Sequence, residues 1–281
     1  MIKIKSVLCW MVLASVISSC SPNPEPINVG VPQDQAYLTR GRELVKGLAS
    51  CGLCHGASPD PQSPLIGGRT FKDRYGAVNA PNLTPDKTGL ADWSAVEIIT
   101  AIRSSIGKNG EELSEEMHEG YEWISDQDAL AIVAYLKALP PVENKVERRK
   151  LNWWQRNITG MFESREVQSG FVPAIDPKYK AEYGKYLTEH VARVEQCLMP
   201  KEEESPWYSF ILGGGKSTDG AAEKRFKDWS VDEIVYFLQT GESPTTKGGD
   251  RYLDAGTCPV KFYRNAAEAD LNAMATYLKS R

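Results

Sequence analysis

The sequence has no excess of positive charge, since 33 lysine and arginine residues are set against 37 aspartate and glutamate residues. The basic residues are dispersed apart from the short run Arg148-Arg149-Lys150, so we expect no nucleic-acid partner. The sequence also lacks an apolar run long enough for a permanent membrane-spanning helix. A content of 41% hydrophobic and 25% charged residues argues against disorder, and 281 residues suffice for two compact domains.

The N-terminus carries the pattern of a targeting segment. Two lysines precede an apolar run over 7–17, which ends just before Cys20. This resembles a bacterial lipoprotein signal, whose cleavage leaves the cysteine as a lipid-modified N-terminus. We therefore predict a signal peptide over 1–19, lipidation of Cys20 and a proline-rich tether over 20–35. The protein would lie in a bacterial periplasm, held to a membrane by its lipid, with Ser21 slightly favouring the outer membrane. An ordinary signal peptide that contains a cysteine is the alternative.

Cysteine is scarce, with six residues in the whole chain. One lies in the predicted signal peptide and Cys20 is the predicted lipid site. The remaining four are Cys51, Cys54, Cys197 and Cys258. In an oxidising compartment such thiols are bridged or otherwise committed, so each of the four is a candidate for a specific role.

The chain repeats itself, and the order of the repeated segments is the same in both halves. Residues 41–55 line up with 184–198, Asp92-Trp93-Ser94 recurs at 228–230, and 134–137 recur at 276–279. Capping boxes are predicted to begin helices at Ser94, with Glu97, and at Ser230, with Glu233. A further helix is predicted from Ser125 through Leu139, where two prolines stop it.

Two segments without helical periodicity separate these elements. The run 58–92 is rich in proline, glycine and asparagine and is predicted to be a loop. Residues 142–180 form a connector with several aromatic side chains, among them Trp153, Trp154 and Phe171. A flexible spacer has no need of them, so we predict an ordered strap that packs along both halves.

The run Cys51-Gly-Leu-Cys54-His55 is the attachment signature of c-type haem. Two thiols one helical turn apart form thioethers with the porphyrin, and the adjacent histidine binds the iron. A redox dithiol belongs in a βαβ context, which is missing from the pattern, and a zinc site needs further ligands close by. We therefore predict one covalently bound haem c with His55 as proximal iron ligand. The candidates for the second axial ligand are Met117 and His118.

The chain resembles the cytochrome c subunits of bacterial membrane-bound alcohol, gluconate and aldehyde dehydrogenases, which are built from class I cytochrome c domains. The marks of that resemblance are the haem motif, Gly67-Gly68, the run Ala80-Pro81-Asn82-Leu83-Thr84-Pro85-Asp86, Thr88-Gly89, Asp92-Trp93-Ser94 and the Tyr135-Leu136 to Pro140-Pro141 end. It implies Met117 as axial ligand and an all-α fold of two such domains in tandem. The haem-binding domain would span 36–141, the connector 142–180 and a degenerate second domain 181–281.

The second copy departs from the pattern at every ligand. Val194-Glu-Gln-Cys197-Leu198 stands where the haem motif would be, and Cys258-Pro259 stands where an axial methionine would be. One thiol without a ligand cannot hold a haem in the usual way, so we predict that this domain is haem-free. Cys197 and Cys258 would face the former pocket and are predicted to be joined, with two separate buried thiols as the alternative.

These features predict an electron carrier with no substrate of its own. Its partner would be a periplasmic dehydrogenase or another redox protein, from which electrons pass toward the respiratory chain. Two other functions stay open: an enzyme or sensor with an open iron position, if neither Met117 nor His118 binds iron, and a second domain kept for docking.

Overall fold

The computed structural model describes residues 30–157, 170–194, 226–242, 244 and 259–281. The predicted signal peptide, Cys20, Cys197 and Cys258 lie outside these ranges, so their predicted roles stay predictions. Within the described ranges, no helix combines the length and the apolar character that crossing a bilayer requires.

Most of the described elements are helical. In chain order they are α1 (Gln35–Glu43), a π-helical turn (Leu44–Leu48), α2 (Gly52–His55), β1 (Thr70–Asp73), β2 (Gly76–Asn79), α3 (Ala95–Ser104), a 3-10 turn (Lys108–Gly110), α4 (Glu115–His118), α5 (Asp126–Lys137), α6 (Trp153–Asn157), α7 (Lys180–Tyr186), a second π-helical turn (Leu187–Val191), α8 (Val231–Thr240), α9 (Val260–Tyr263) and α10 (Glu268–Ser280).

The predicted helix starts are confirmed. Ser94 and Ser230 each accept a hydrogen bond from the backbone N–H three residues on, and Glu97 and Glu233 in turn accept one from the backbone N–H of the capping serine. Ser125 caps α5 in the same way through the N–H of Asp128. The helix ends at Lys137, two residues earlier than predicted, because the prolines that follow cannot continue it.

Each half is built on one close crossing of two helices. Helix α1 packs against α5 and helix α7 packs against α10. A Cβ atom on Gly41 would lie 1.9 Å from the carbonyl oxygen of Ala131, and one on Gly184 would lie 2.0 Å from that of Ala273. Only glycine lets the two backbones approach this closely at each crossing.

The all-α prediction is wrong over 70–79, where the predicted loop contains a β-hairpin. Thr70 pairs with Asn79 and Asp73 with Gly76, so that two residues form the turn. Gly76 has φ of 104°, a left-handed conformation that glycine adopts without strain. Strands of four residues are too short to show an alternating pattern, which is why the sequence did not reveal them.

The first part of the connector, residues 142–152, lies along the first half and is called the strap below. Its carbonyl and amide groups bond to loop residues: Asn82 Nδ2 donates to Val142 O at 2.9 Å, and Asn144 Nδ2 donates to Ile66 O at 2.8 Å. Arg149 Nη2 pairs with Asp73 Oδ2 at 2.8 Å. Hydrogen bonds, this ion pair and cation–π contacts of Arg148 with Trp93 and of Arg149 with Tyr75 hold the segment in place.

The predicted packing of the connector aromatics is wrong for three side chains that the structure describes. Trp153, Trp154 and Phe171 are 66%, 65% and 76% exposed. The two tryptophans contact each other edge to face, with ring centroids 5.8 Å apart. They follow the strap, whose hydrogen bonds hold the chain against the first half without them.

The two halves share one hydrophobic core. Buried apolar side chains from α5, α7, α8 and α10 belong to a single contiguous cluster. Polar groups also cross between the halves: the Tyr186 hydroxyl accepts from the backbone N–H of Ser125 at 3.0 Å and donates to Asp128 Oδ2 at 2.8 Å. The halves are therefore in direct contact through both packing and hydrogen bonds.

Candidate functional site

The Cys51–His55 motif forms the short helix α2 and the residue just before it. The preceding π-helical turn is followed by Ser50 at φ of 49°, which redirects the chain. The N–H of His55 donates to the carbonyl of Cys51 at 2.9 Å, so that a single helical turn spans the motif. This turn brings Cys51, Cys54 and His55 to the wall of one cavity, and their predicted roles toward haem stay predictions.

The His55 ring is oriented by a hydrogen bond at its Nδ1 atom. Its Nδ1 lies 2.9 Å from the carbonyl oxygen of Pro81, which can only accept, so Nδ1 carries the proton. The other ring nitrogen, Nε2, therefore keeps its lone pair for a metal. Burial lowers the pKa of His55, and the hydrogen bond to Pro81 only partly opposes this. A neutral ring with an unprotonated Nε2 is the form that binds iron.

The cavity between the two halves has a volume of about 190 Å³. Its walls are mainly apolar: they include Leu48, Leu83, Leu90, Ile98, Ile102, Ile132 and Leu136. An adjoining space of about 80 Å³ shares Cys54, His55, Met117 and His118. The two spaces thus meet around the predicted iron ligands.

Helix α4 carries both candidates for the second axial ligand. Met117 and His118 line the cavity together with His55. The His118 and His55 rings have centroids 6.5 Å apart and planes inclined by only 20°. A metal bonded to a nitrogen of each ring at about 2 Å would separate two ring centroids by roughly 6 Å. The observed ring separation is compatible with two imidazoles on one metal, and the axial roles of Met117 and His118 both stay predictions.

The environment of these groups is dry and positively charged. Burial raises the pKa of the Cys51 thiol to about 12 and also raises that of Cys54, with the Arg193 guanidinium opposing both shifts. Burial lowers the pKa of His118 to about 3, and the nearby His55 and Arg193 lower it further. Neutral thiols and neutral imidazoles are the forms that such surroundings favour.

Two side chains of the site were missed from the sequence. The Tyr121 hydroxyl donates to the carbonyl of Ala49 at 2.6 Å and so ties residues 115–121, which comprise α4 and the turn after it and are called the axial-ligand loop below, to the segment before the motif. Arg193 reaches the same cavity from the second half of the chain. The repeat aligns Arg193 with Ser50, but no pattern in the sequence indicates that its side chain enters the first half.

These residues fit a covalently attached haem. Two free, half-buried thiols lie one helical turn apart beside a histidine whose Nδ1 is already hydrogen-bonded to the carbonyl of Pro81. A largely apolar cavity adjoins them, and the His118 ring lines the same cavity with its centroid 6.5 Å from that of His55. Thiols, imidazole and apolar walls are the groups that hold c-type haem, and none of the described residues that line this cavity is a carboxylate.

Comparison with known proteins agrees with this geometry. Residues 38–140 match the cytochrome c family. The chain is 29% identical over 262 residues to a protein of Pseudomonas putida that is named as one of the subunits of nicotinate dehydrogenase; the match covers 87% of this chain and 21% of that protein. It is 26% identical to the gluconate 2-dehydrogenase cytochrome c subunit of Pantoea cypripedii, over 88% of this chain and 60% of that one. It is 24% identical to the fructose dehydrogenase cytochrome subunit of Gluconobacter japonicus, over 86% and 52%. The chain thus spans less than two thirds of each of these relatives.

Proposed function

We infer that this chain, in which residues 38–140 form a cytochrome c domain, carries electrons on covalently bound haem c and has no substrate of its own. The observation that carries the proposal is that Cys51, Cys54, His55 and His118 all line one largely apolar cavity. Bound there, the haem supplies a one-electron couple. The protein's residues attach it, keep its ligands neutral and exclude water.

The second half is proposed to be a cytochrome c-like unit without haem, so that the chain holds one haem. Its support is geometric correspondence between the halves. Tyr263 donates to the Ala192 carbonyl at 2.9 Å, as Tyr121 does to that of Ala49, and the glycine crossings are alike. The sequence has Val194 where the first cysteine of a haem motif would stand.

For the second axial ligand, the family resemblance supports Met117 and the ring geometry supports His118. Sulfur ligation raises the reduction potential of a haem, whereas two imidazoles leave it lower. Either ligand closes the iron, which suits outer-sphere electron transfer rather than binding of a small substrate. We retain Met117 as the proposed ligand and His118 as its competitor, and variants at the two positions separate them.

The proposed partner is a dehydrogenase whose electrons this chain accepts. Three similar proteins are named as subunits of nicotinate, gluconate and fructose dehydrogenases, which supports this class of partner. A periplasmic location and lipid anchoring at Cys20 are proposed from the sequence pattern alone. A Cys20→Ala variant that still fractionates with membranes would contradict the lipid anchor.

Haem stoichiometry tests the central proposal. The full chain is produced in a bacterium with periplasmic haem-attachment machinery, and intact mass is combined with haemochrome absorbance. We expect one haem per chain, and we expect none when Cys51 and Cys54 are both replaced by alanine. Two haems would contradict the haem-free second half, and a wild-type chain without haem would contradict electron transfer on haem.

A further inference from the structure

Arg193 has a backbone conformation that arginine rarely adopts. Its φ is 51°, and it follows the second π-helical turn just as Ser50, with φ of 49°, follows the first. A non-glycine residue held in this region is strained, so surrounding contacts must maintain it. The second half thus presents an arginine at the position that corresponds to Ser50, just before the haem motif of the first half.

The side chain of Arg193 is held by the axial-ligand loop of the first half. Its Nη1 donates to the carbonyl of Glu119 at 2.8 Å and to that of Met117 at 3.3 Å. Its guanidinium carbon lies 4.1 Å from the centre of the Tyr121 ring, within the range of a cation–π contact.

Gly120 completes this arrangement. It has φ of 97°, and a Cβ there would lie 2.8 Å from Arg193 Cδ. The loop backbone therefore closes directly over the arginine side chain. The carbonyls of the residues on both sides of His118, Met117 and Glu119, point to one guanidinium.

We propose that Arg193 is a positioning residue of the haem site: it holds the loop that carries the axial ligand and places a fixed positive charge beside the attached haem. The proposal rests on the proposed function, because it presupposes haem at Cys51 and Cys54. The haem-free half would then contribute directly to the redox centre of the other half.

Two separable consequences follow from the two properties of the side chain. A fixed cation in a dry cavity favours the reduced, less positive iron, so it raises the reduction potential. Its hydrogen bonds to two carbonyls resist opening of the loop, so they slow replacement of the axial ligand by an added one. Lysine retains the charge without the planar pair of donors, and glutamine retains a donor without the charge.

The experiment compares haem-loaded wild type with Arg193→Met, Arg193→Lys and Arg193→Gln. The midpoint potential is measured by spectroelectrochemical titration, and imidazole is mixed with the oxidised protein to time ligand replacement. Arg264→Met is the matched control, because Arg264 is an exposed arginine of the same half, bonded to Gln239 O at 2.7 Å and not among the described residues that line the cavity.

For Arg193→Met we expect a lower potential and replacement at least about tenfold faster, which corresponds to one lost hydrogen bond to a charged group. Arg193→Lys is expected to keep the midpoint potential of the wild type but to exchange its axial ligand for imidazole faster. Arg193→Gln is expected to have a lower midpoint potential. Arg264→Met is expected to match the wild type in both.

Two results would overturn the assignment while leaving the proposed function intact. One is haem-loaded Arg193 variants that match the wild type in potential and in exchange. The other is failure of all three to load haem when Arg264→Met loads normally, since that would make Arg193 a folding residue. A wild type without haem would instead refute the proposed function itself.

Discussion

At the scale of single residues, Met117 and His118 compete for one position at the iron. Both line the cavity, and His118 has its ring nearly parallel to that of His55. For Met117→Leu we expect loss of the far-red methionine-to-iron band of the oxidised protein. We also expect the midpoint potential to fall by on the order of 0.1 V, within the range over which axial ligands tune haem.

The neighbouring variant His118→Gln is the matched control for this prediction. It removes the competing imidazole and leaves the sulfur, so the far-red band is expected to persist. Both variants keep Cys51 and Cys54, and haem attachment should be equal in the two. The reverse pattern is a wild type without the band and a high-spin spectrum in His118→Gln. That result would identify His118 as the axial ligand instead.

A second residue-scale prediction concerns the ion pair that fastens the strap. The Asp73 side chain is 2% exposed and receives two N–H groups of Arg149. Asp73→Asn is expected to lower the free energy of unfolding by about 2 kcal/mol, since a buried, charge-assisted bond is lost. Glu143→Gln is the control, because Glu143 and its partner Lys87 are 68% and 72% exposed and their pair should contribute about 0.5 kcal/mol or less.

The same pair predicts a dependence on pH. Burial alone would raise the pKa of Asp73, but hydrogen bonds from Arg149, Ser114 and the Tyr75 backbone, together with the charge of Arg149, outweigh it, and the pKa is lower than the ordinary 3.8. The stabilisation is therefore complete above the unfolded-state pKa and is lost as the pH falls through the folded-state value. We expect the difference in free energy of unfolding between wild type and Asp73→Asn, measured by urea unfolding, to be smaller below pH 3.8 than at pH 7. A difference that is constant with pH would contradict an ionic role.

At the scale of elements, the glycine at each helix crossing predicts the effect of a small substitution in both halves. A methyl group on Gly41 or Gly184 would overlap a carbonyl oxygen of the facing helix, so each alanine variant must force the helices apart. We expect each to lower the free energy of unfolding by about 3 kcal/mol. Gly30→Ala is the control, because no described atom lies within 4 Å of its added methyl group. A near-neutral Gly184→Ala would mean that the second half does not share the helix crossing of the first.

Helices and the motif could be predicted from the sequence because their causes are local. Ser94 and Ser230 cap helices through groups three residues away, and the Cys51–His55 spacing is itself the chemistry of attachment. The hairpin over 70–79 was missed because its strands are too short for a periodic signal. The connector over 142–180 was predicted to be ordered by aromatic packing. In its first part, the strap, the contacts come instead from polar side chains distant in the sequence.

At the scale of the whole molecule, the contacts between the two halves are the feature that is hardest to predict from the sequence. Arg193 and Tyr186 belong to the second half, yet their polar groups bond to the first. Alignment of the repeat indicates which residues correspond, but it carries no information on how two units face each other. The contact brings a cation from the second half to the cavity of the first.

An ionic tie between the halves is formed by Arg40, which lies between Asp128 of one half and Asp270 of the other. Its Nε bonds to Asp128 Oδ1 at 2.8 Å and its Nη2 to the Tyr183 hydroxyl at 3.1 Å. The two carboxylates are 9% and 7% exposed, so Arg40→Met would leave both charges buried without their cation. We expect the free energy of unfolding to fall by about 3–5 kcal/mol.

The control and the rescue separate this charge effect from simple loss of packing. Arg42→Met, on the exposed side of the same helix, is expected to change stability by no more than about 0.5 kcal/mol. Adding Asp128→Asn and Asp270→Asn to Arg40→Met removes the unpaired charges, so urea unfolding should show stability partly restored. If the triple variant is less stable than Arg40→Met alone, the buried carboxylates are not what destabilises the single variant. The two halves would then be held together by the shared apolar core rather than by this ionic bridge.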